Sequence, residues 1–503
     1  MLKGYATREA THQHAAAHPS LTFNEIGNTG LMSSQAGFGG YRVDTGVPPF
    51  HEALVYALDQ GINLIDTSAN YADGGSEELI GQTLNALIRQ GQLQREEVIL
   101  VTKGGYLQGS NFELSQERKA TGQPFPDLVE YMADLEHCIH PEFLADQITR
   151  SLQRLDVETI DVYLLHNPEY YLSWAKNQHL PLDEARNEYY RRIRLAFQYL
   201  EKEVERGRIQ YYGISSNSFP YAAAHPEFTS LATCWEMARQ TRSQHHFRVI
   251  QLPMNLLETG AATQLNQPKG QTVLEFACQQ GLGVLINRPL NAYHKNNLTR
   301  LADLDEPDYV SPAAVDARIA NLVAQEVVLH RDLMPTLEVT AEVQDQLGQM
   351  LSVGQALDGY WLGINSYQRW LETRSGYLIP RITSALRFLE MLKKQPEGLD
   401  GWIEAYIEAA NYTFAAITAY YQEQALDEAE QLKQAVKAID PDWAAAATLS
   451  QLAIRALRTT QGVSSVLVGM RRLSYVEDVL SELRRPAPIA ERTEAWLQLQ
   501  DRL

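Results

Sequence analysis

Short apolar runs alternate with amphipathic segments along most of this chain. VILVTK and IDVYLLH are apolar almost throughout, the pattern of strands buried on both faces. FLADQITRSLQRL and RRIRLAFQYLEKEVERG instead repeat apolar residues every three or four positions, the period of a helix with one buried face. Strands are expected to end near Phe38, Asp66, Lys103, His166, Ile214, Pro253, Asn287 and Val468. Helical segments such as PFHEALVYALDQ, EELIGQTLNALIRQ, TVLEFACQQ and LSQLAIRALRTT separate them. Eight such alternations predict an α/β fold, a (β/α)8 TIM barrel. A small hairpin, LTFNEIGNTGLMSS, turning at Asn28-Thr29-Gly30, precedes the first strand.

The alternation is interrupted twice. Between Tyr106 and Ile139 runs a polar loop with a short helix, longer than a strand-to-helix connection needs. From about Leu301 to Trp443 come three long helical patterns separated by Pro307, Pro312, Pro396 and Gly398, an insertion between strands seven and eight. The expected organisation is a flexible N-terminus over 1–20, barrel strands one to seven over 21–300, a mostly α-helical inserted subdomain over 301–443, and strand eight with C-terminal helices over 444–503. The insertion ends in AVKAIDPD, like a single helical-repeat unit, but no second copy follows at a fixed period. A helical subdomain is therefore expected rather than a peptide-binding array. Tyr406, Tyr412, Phe414, Tyr420 and Tyr421 stand there at helical spacing, where core packing is the expected role and a ligand lining the alternative.

Composition narrows the function. The 503 residues are 45% apolar and 21% charged, with a formal net charge of -19, so the chain can pack one or two domains and lacks the basic balance that nucleic acid or an anionic membrane requires. A small molecule is the expected partner; oligomeric state is left open. Cys138, Cys234 and Cys278 form no CxxC and no paired framework, as in a reducing compartment. The N-terminal segment lacks the apolar centre of a signal peptide and no window spans a bilayer, so the expected location is the cytoplasm. His12, His14 and His18 read as part of a frayed polar terminus. His137 and His140 flank Cys138 without a fourth ligand, and no metal site is expected.

Asp66, Lys103 and His166 fall at the C-terminal ends of their strands, the end of such a barrel where chemistry is built, and Tyr71 follows Asp66 by five positions on a loop. A buried carboxylate is costly unless paired, and Lys103 at the next strand end can pair with Asp66. The ammonium can in turn stabilise the Tyr71 phenolate and lower its pKa. His166 can bind a substrate oxygen or share the proton transfer. A structural ion pair and a core histidine are the plainer readings of these residues taken singly; their convergence favours catalysis. The set supplies only a proton, so a hydride would have to come from a nicotinamide or flavin beside Tyr71.

IDTSANYADG, the strand-end lysine in VTKGG, the strand-end histidine in DVYLLHNPE, then GISSNS, QLPMN and VLVGMRR resemble, in this order, the motifs of the aldo-keto reductase superfamily. The likeness covers about residues 21–295 and 445–483. It implies a barrel that binds NADPH or NADH extended, without a Rossmann domain, and that reduces carbonyls or oxidises alcohols. It also implies a catalytic tetrad of Asp66, Tyr71, Lys103 and His166, with Tyr71 as general acid. By the same resemblance Ser215, Ser216 or Asn217, with Gln251, would hold the nicotinamide amide. Pro289 and Leu290 would line the cofactor, and Gly469, Met470, Arg471 and Arg472 would bind the adenosine phosphate. Gly39 and Gly40 match the first strand's exit, where a small residue lets the backbone approach the nicotinamide, and Tyr41 the rim of the substrate pocket.

Some positions depart from the family pattern. Asn287 stands where an aromatic often stacks on the nicotinamide, and Tyr475 and Val479 where many NADP-preferring members carry arginine and asparagine. Arg471 and Arg472 could still grip a 2'-phosphate, which favours NADP slightly over NAD. The expectation is thus an NAD(P)-dependent oxidoreductase acting on an aldehyde, ketone or aldose, with both insertions leaving from the catalytic face and shaping specificity. The competing expectation is a cofactor-binding regulatory protein whose helical insertion binds a partner.

Overall fold

A computed structural model describes residues 1–294, 297–392 and 397–502. Eight strands close into a parallel barrel: β1 (Ala36–Gly39), β2 (Leu64–Asp66), β3 (Ile99–Gly104), β4 (Ile160–His166), β5 (Ile209–Ser215), β6 (Phe247–Pro253), β7 (Gly283–Asn287) and β8 (Ser465–Val468). They follow one another around the ring in chain order, and β8 pairs with β1 through Val466↔Ala36 and Val468↔Phe38 to complete it. The expected (β/α)8 architecture is the observed one, and each strand ends within a residue of its expected end.

Period-two alternation positions the site. Leu64, Val101, Leu164, Val249, Leu285 and Leu467 form one buried cluster inside the barrel. Two residues further along the same strands, and hence on the same inward side, stand Asp66, Lys103, His166, Gln251 and Asn287. The barrel interior therefore changes from aliphatic to polar in one step at its C-terminal end. At the other end the antiparallel hairpin Phe23–Glu25/Met32–Ser34, with its turn at Gly27–Thr29, sends Ile26 and Leu31 into the same aliphatic cluster. Gly30 closes that turn at φ +78°, a conformation glycine adopts without strain.

The N-terminal segment is not frayed. Arg8–Ala17 is a helix capped by Thr7 Oγ1, Ala6 N donates to Asp161 Oδ1 at 2.7 Å, and Leu2 bridges to Val157. His14 is buried and shares a 3.1 Å hydrogen bond with the Gly61 carbonyl through Nε2. The expectation of flexibility failed because Asp161, paired with Arg95 at 2.8 Å inside the fold, still has an oxygen free for that distant backbone. Between Tyr106 and Ile139 the structure holds more than a short helix. Helix Ser110–Ala120 is accompanied by a three-stranded antiparallel sheet of Tyr106–Leu107, Leu135–His137 and Val129–Met132.

The chain divides into two compact units, Met1–Ala292 with Ala435–Leu503, and Tyr293–Gln434. The second is helical and has its own core, in which Trp361, Trp370, Tyr406 and Ile417 are fully buried. Of the aromatics singled out by spacing, Tyr406, Phe414 and Tyr421 are core and Tyr420 packs against it, whereas Tyr412 is exposed beneath the Arg318 guanidinium. Pro312 starts helix Pro312–Val328, and Gly398, at φ +87°, precedes the 39-residue helix Leu399–Lys437. Pro396 lies outside the described residues. No described helix is long and apolar enough to cross a membrane.

Candidate active site

Lys103 is the centre of the polar layer. Its side chain is fully buried, and Nζ donates to Asp66 Oδ2 at 2.7 Å, to the Thr67 carbonyl at 2.8 Å and to the Tyr71 hydroxyl at 3.5 Å. The three ammonium protons thus have three acceptors, which is what a buried cation requires. Asp66 Oδ1 accepts from Gln251 Nε2 at 2.7 Å across the barrel, and Gln251 Oε1 accepts from Ser215 Oγ at 3.1 Å and Asn287 Nδ2 at 3.4 Å. The His166 ring lies edge-on to Tyr71 with centroids 6.0 Å apart, and Tyr106 packs against its other side at 4.6 Å. Asp66, Tyr71, Lys103 and His166 are therefore brought together.

The charges follow from burial and pairing. Burial pushes the Asp66 carboxyl up, opposed by Lys103 and Gln251. Burial disfavours the Lys103 ammonium, but Asp66 and then Tyr71 outweigh it and hold its pKa above the ordinary lysine value. His166 is kept neutral, well below the usual histidine value, by burial, by the Lys103 charge and by His137. The expected lowering of the Tyr71 pKa is not what the geometry produces. Burial raises it, and Lys103 offsets only part of that rise because its charge is already committed to Asp66 at the shorter distance. Tyr71 is accordingly a protonated phenol at neutral pH, suited to giving a proton away.

The residues assigned to cofactor contact divide into engaged and open groups. Ser215 is tied to Gln251, which is tied to Asp66. Ser216 turns into a buried hydroxyl cluster with Ser218 at 3.1 Å and Thr229 at 3.3 Å. Asn217 keeps part of its surface open, and its backbone N–H donates to Glu169 Oε1 at 2.7 Å. Asn287 Oδ1 is buried without a hydrogen-bond partner among the described residues, an acceptor suited to a carboxamide N–H. Pro289 and Leu290 are buried in the turn after β7, which Asn255 Nδ2 secures through the Arg288 carbonyl at 3.2 Å.

Gly40 is small for a reason internal to the protein. A Cβ there would lie 2.7 Å from Ser76 Oγ and 3.0 Å from the Asp66 carbonyl, and one on Gly39 would lie 3.1 Å from the Val468 carbonyl. After β8, Gly469 is exposed and Met470 buried. Arg471 and Arg472 then lead into helix Leu473–Leu483. Val479 is buried in that helix, and Arg472 lies over the Tyr475 ring at 5.9 Å. Neither Arg471 nor Arg472 has an ion pair among the described residues, and Arg42 joins them, close enough that burial and then its charge depress the Arg471 pKa. Arg42, Arg471 and Arg472 thus gather with no carboxylate paired to them among the described residues.

Arg42, Ser68, Asn70 and Tyr106 belong to this site and were not singled out from the sequence. Ser68 Oγ lies 3.0 Å from His166 Nδ1, and the Tyr106 hydroxyl accepts from Asn167 Nδ2 at 2.6 Å. A signal existed for Ser68, which stands two positions past Asp66 inside IDTSANYADG. The described residues contain no group of three His, Cys, Asp or Glu able to hold a metal. His137 instead shares a 2.7 Å hydrogen bond with the His166 carbonyl, and the Cys138 thiol is buried.

The family model for the Aldo/keto reductase family matches residues 37–306. Over 153 residues the chain is 29% identical to an NADH-specific methylglyoxal reductase of Escherichia coli, covering 28% of this chain and 40% of that protein. It is 34% identical over 149 residues to an L-galactose dehydrogenase of Arabidopsis thaliana, covering 27% of this chain and 46% of that one. The chain thus spans less than half the length of these curated relatives. Among solved structures, a glycerol dehydrogenase of Gluconobacter oxydans is matched at 15% identity over 95% of each chain, with a TM-score of 0.44. With the family model covering more than half of its length on a closed eight-stranded barrel, the chain belongs to the aldo/keto reductase family.

Proposed function

We propose that the protein is an NAD(P)-dependent oxidoreductase that moves a hydride between nicotinamide C4 and a carbonyl or alcohol carbon, with Tyr71 as proton donor or acceptor. The observation that carries this reading is the meeting of Asp66, Lys103 and His166 at the C-terminal ends of adjacent strands with Tyr71 from the turn after the second strand, Lys103 Nζ being bonded to both Asp66 and Tyr71. A bound nicotinamide cofactor supplies or accepts the hydride. The chain's own residues handle the proton. In reduction, Tyr71 gives its proton to the carbonyl oxygen, and Lys103 stabilises the phenolate that remains. In oxidation the phenolate takes the alcohol proton. Asp66 keeps Lys103 charged and in place, and His166 orients the substrate beside Tyr71.

Support for the cofactor comes from the unpartnered Asn287 Oδ1 and from Arg42, Arg471 and Arg472 without carboxylates. The two arginines after β8 suit a 2'-phosphate, which is the ground for proposing NADP ahead of NAD. Tyr41 is 60% exposed and meets the Tyr71 ring edge-on at 5.3 Å, so it is proposed to line the approach of the substrate. A polar carbonyl compound such as an aldose is the proposed substrate class. It is in keeping with relatives named L-galactose dehydrogenase and 6-dehydroglucose reductase. A reducing, cytoplasmic setting accords with three free cysteines, and the helical unit is proposed as an accessory module outside the proton chemistry.

The test is titration of the purified protein with NADPH and NADH, followed by cofactor-dependent turnover of a panel of aldehydes, ketones and aldoses. Tyr71→Phe should keep cofactor affinity and lose roughly 10²- to 10⁴-fold in kcat. A wild-type protein that binds neither cofactor would end this reading.

A further inference from the structure

The turn that carries Tyr71 is left-handed. Ala72 and Asp73 both stand at φ +51° and Gly74 at φ +97°, three successive residues in a region that glycine alone enters freely. An aspartate tolerates it, because its short polar side chain can bond locally, but an alanine has nothing to offset the crowding of its Cβ. Both ends of the turn are fixed. Tyr71 N donates to the Ser68 carbonyl at 3.1 Å. Gly74 passes over the Arg154 side chain into helix Gly75–Arg89, and a Cβ on it would lie 2.7 Å from Arg154 Cδ. A return of Ala72 to the right-handed region therefore has to be absorbed by Tyr71. Its hydroxyl meets Lys103 Nζ at 3.5 Å, the longest of that ammonium's three bonds and the first to be lost if the phenol moves.

One interaction opposes that relaxation from outside the turn. Asp73 accepts from Ser110 N through both carboxylate oxygens, at 3.1 and 3.2 Å, and from Ser110 Oγ at 2.8 Å. Ser110 opens the helix Ser110–Ala120, whose N-cap residue is Gly109 and has no side chain to cap it. Asp73 thus caps a helix to which it does not belong, with its charge at the end that the helix dipole favours. Gly109 permits the approach, since a Cβ there would lie 2.7 Å from Asp73 Cγ and Oδ1. On the other side of Tyr71, Asn70 Nδ2 donates to Gln108 Oε1 at 3.2 Å. Gln108 and Ser110, in the polar stretch after β3, therefore hold the chain on both sides of Tyr71.

We propose that Asp73 is a positioning residue for Tyr71: bound to the N-terminus of helix Ser110–Ala120, it holds Ala72 in the left-handed turn and so keeps the phenol against Lys103. Its consequence for turnover rests on the oxidoreductase reading, whereas the placement of the ring does not. The stretch after β3 is then part of what sets the proton donor, besides rimming the site. Without the tie, the turn relaxes at Ala72 and the phenol loses its alignment. Asp73 lies outside the residues proposed to hold the cofactor, so cofactor affinity is not affected.

The test uses the full chain with NADPH and glyceraldehyde, and follows the Tyr71 ring itself by ¹³C NMR with tyrosine labelled at Cζ, its signal identified by its loss in Tyr71→Phe. Asp73, Gly109 and Ser110 are exposed, so substitutions there do not disturb the core. Asp73→Ala should lower kcat about 10- to 100-fold, leave the NADPH Kd unchanged and move the Tyr71 signal. Gly109→Ala, which blocks the carboxylate, should do the same. Asp73→Asn keeps an acceptor for Ser110 N and should stay within about threefold of the wild type. Rescue separates positioning from stability. Ala72→Gly removes the cost of the left-handed turn, so Asp73→Ala/Ala72→Gly should regain about tenfold in kcat and return the signal toward its wild-type position while the helix stays uncapped. An unmoved signal in Asp73→Ala overturns the proposal. So does a loss of kcat that Ala72→Gly does not repair, which would make Asp73 a helix cap alone. A wild type that turns over neither glyceraldehyde nor any other carbonyl sinks the oxidoreductase reading instead, and the NMR signal then decides the proposal by itself.

Discussion

Gln251 Nε2 donates to Asp66 Oδ1 at 2.7 Å, joining the sixth strand to the second across the mouth of the barrel. With Lys103 Nζ on Oδ2 at the same distance, both oxygens of a buried carboxylate are satisfied by residues from two other strands. Gln251→Leu leaves Oδ1 unpaired. The expected cost is about 1–3 kcal/mol, read as a lower urea midpoint at an unchanged slope. A midpoint equal to that of the wild type would show that the bond contributes nothing.

Lys103→Met is expected to be worse, since it strands the Asp66 charge inside the fold at a cost of about 3–5 kcal/mol. Adding Asp66→Asn removes that stranded charge. The double variant should recover most of the stability and none of the turnover. Recovery of turnover would show that Lys103 acts only as the counter-ion of Asp66.

Glu169 and His137 make opposite contributions to pH dependence. Burial raises the Glu169 carboxyl to about 7 and lowers the His137 imidazole to about 4. The folded-state pKa of Glu169 lies above its unfolded value of about 4.3, so its contribution is complete below that pH and is lost as pH rises through 7. The folded pKa of His137 is depressed, so its contribution is present above about 6.5 and lost as pH falls through 4. Glu169→Gln keeps an acceptor for the Asn217 N–H and removes the charge. It should be more stable than the wild type by about 3 kcal/mol at pH 8 and equal to it near pH 4, as measured by Tm across that range. A stability difference independent of pH would refute the assignment.

Arg471→Glu and Arg472→Glu should weaken NADPH by roughly 10- to 100-fold, the worth of one charge-assisted bond, and change NADH much less. Fluorescence titration with both cofactors reads the difference. Equal weakening of the two would place these arginines on the pyrophosphate rather than on a 2'-phosphate.

The strand ends were legible because a strand buried on both faces is an unbroken apolar run that stops where polarity is first allowed. In this barrel that place is the mouth, which is why Asp66, Lys103 and His166 each close an apolar segment. The docked N-terminal helix and the small sheet after β3 were not legible. The anchor of the N-terminal segment, Asp161, lies 155 residues from its partner Ala6, and the strands of that sheet are only two to four residues long. Tyr71 showed the limit of local reasoning. A nearby lysine suggests an acidified phenol, but the lysine charge was already taken by Asp66 and burial worked against the phenolate.

By itself the sequence determined the order of elements, the closed barrel they form and which residue types stand at its mouth, because periodicity and chain order are local properties that burial reads directly. Only the tertiary structure decided the hydrogen-bond partners: Gln251 to Asp66 over 185 residues, Ser68 to His166 over 98, and Arg42 gathered beside Arg471. Those pairings set proton positions and charge. They depend on distances of a few ångströms between strands and loops far apart in the chain, which closure of the barrel creates and no stretch of sequence contains.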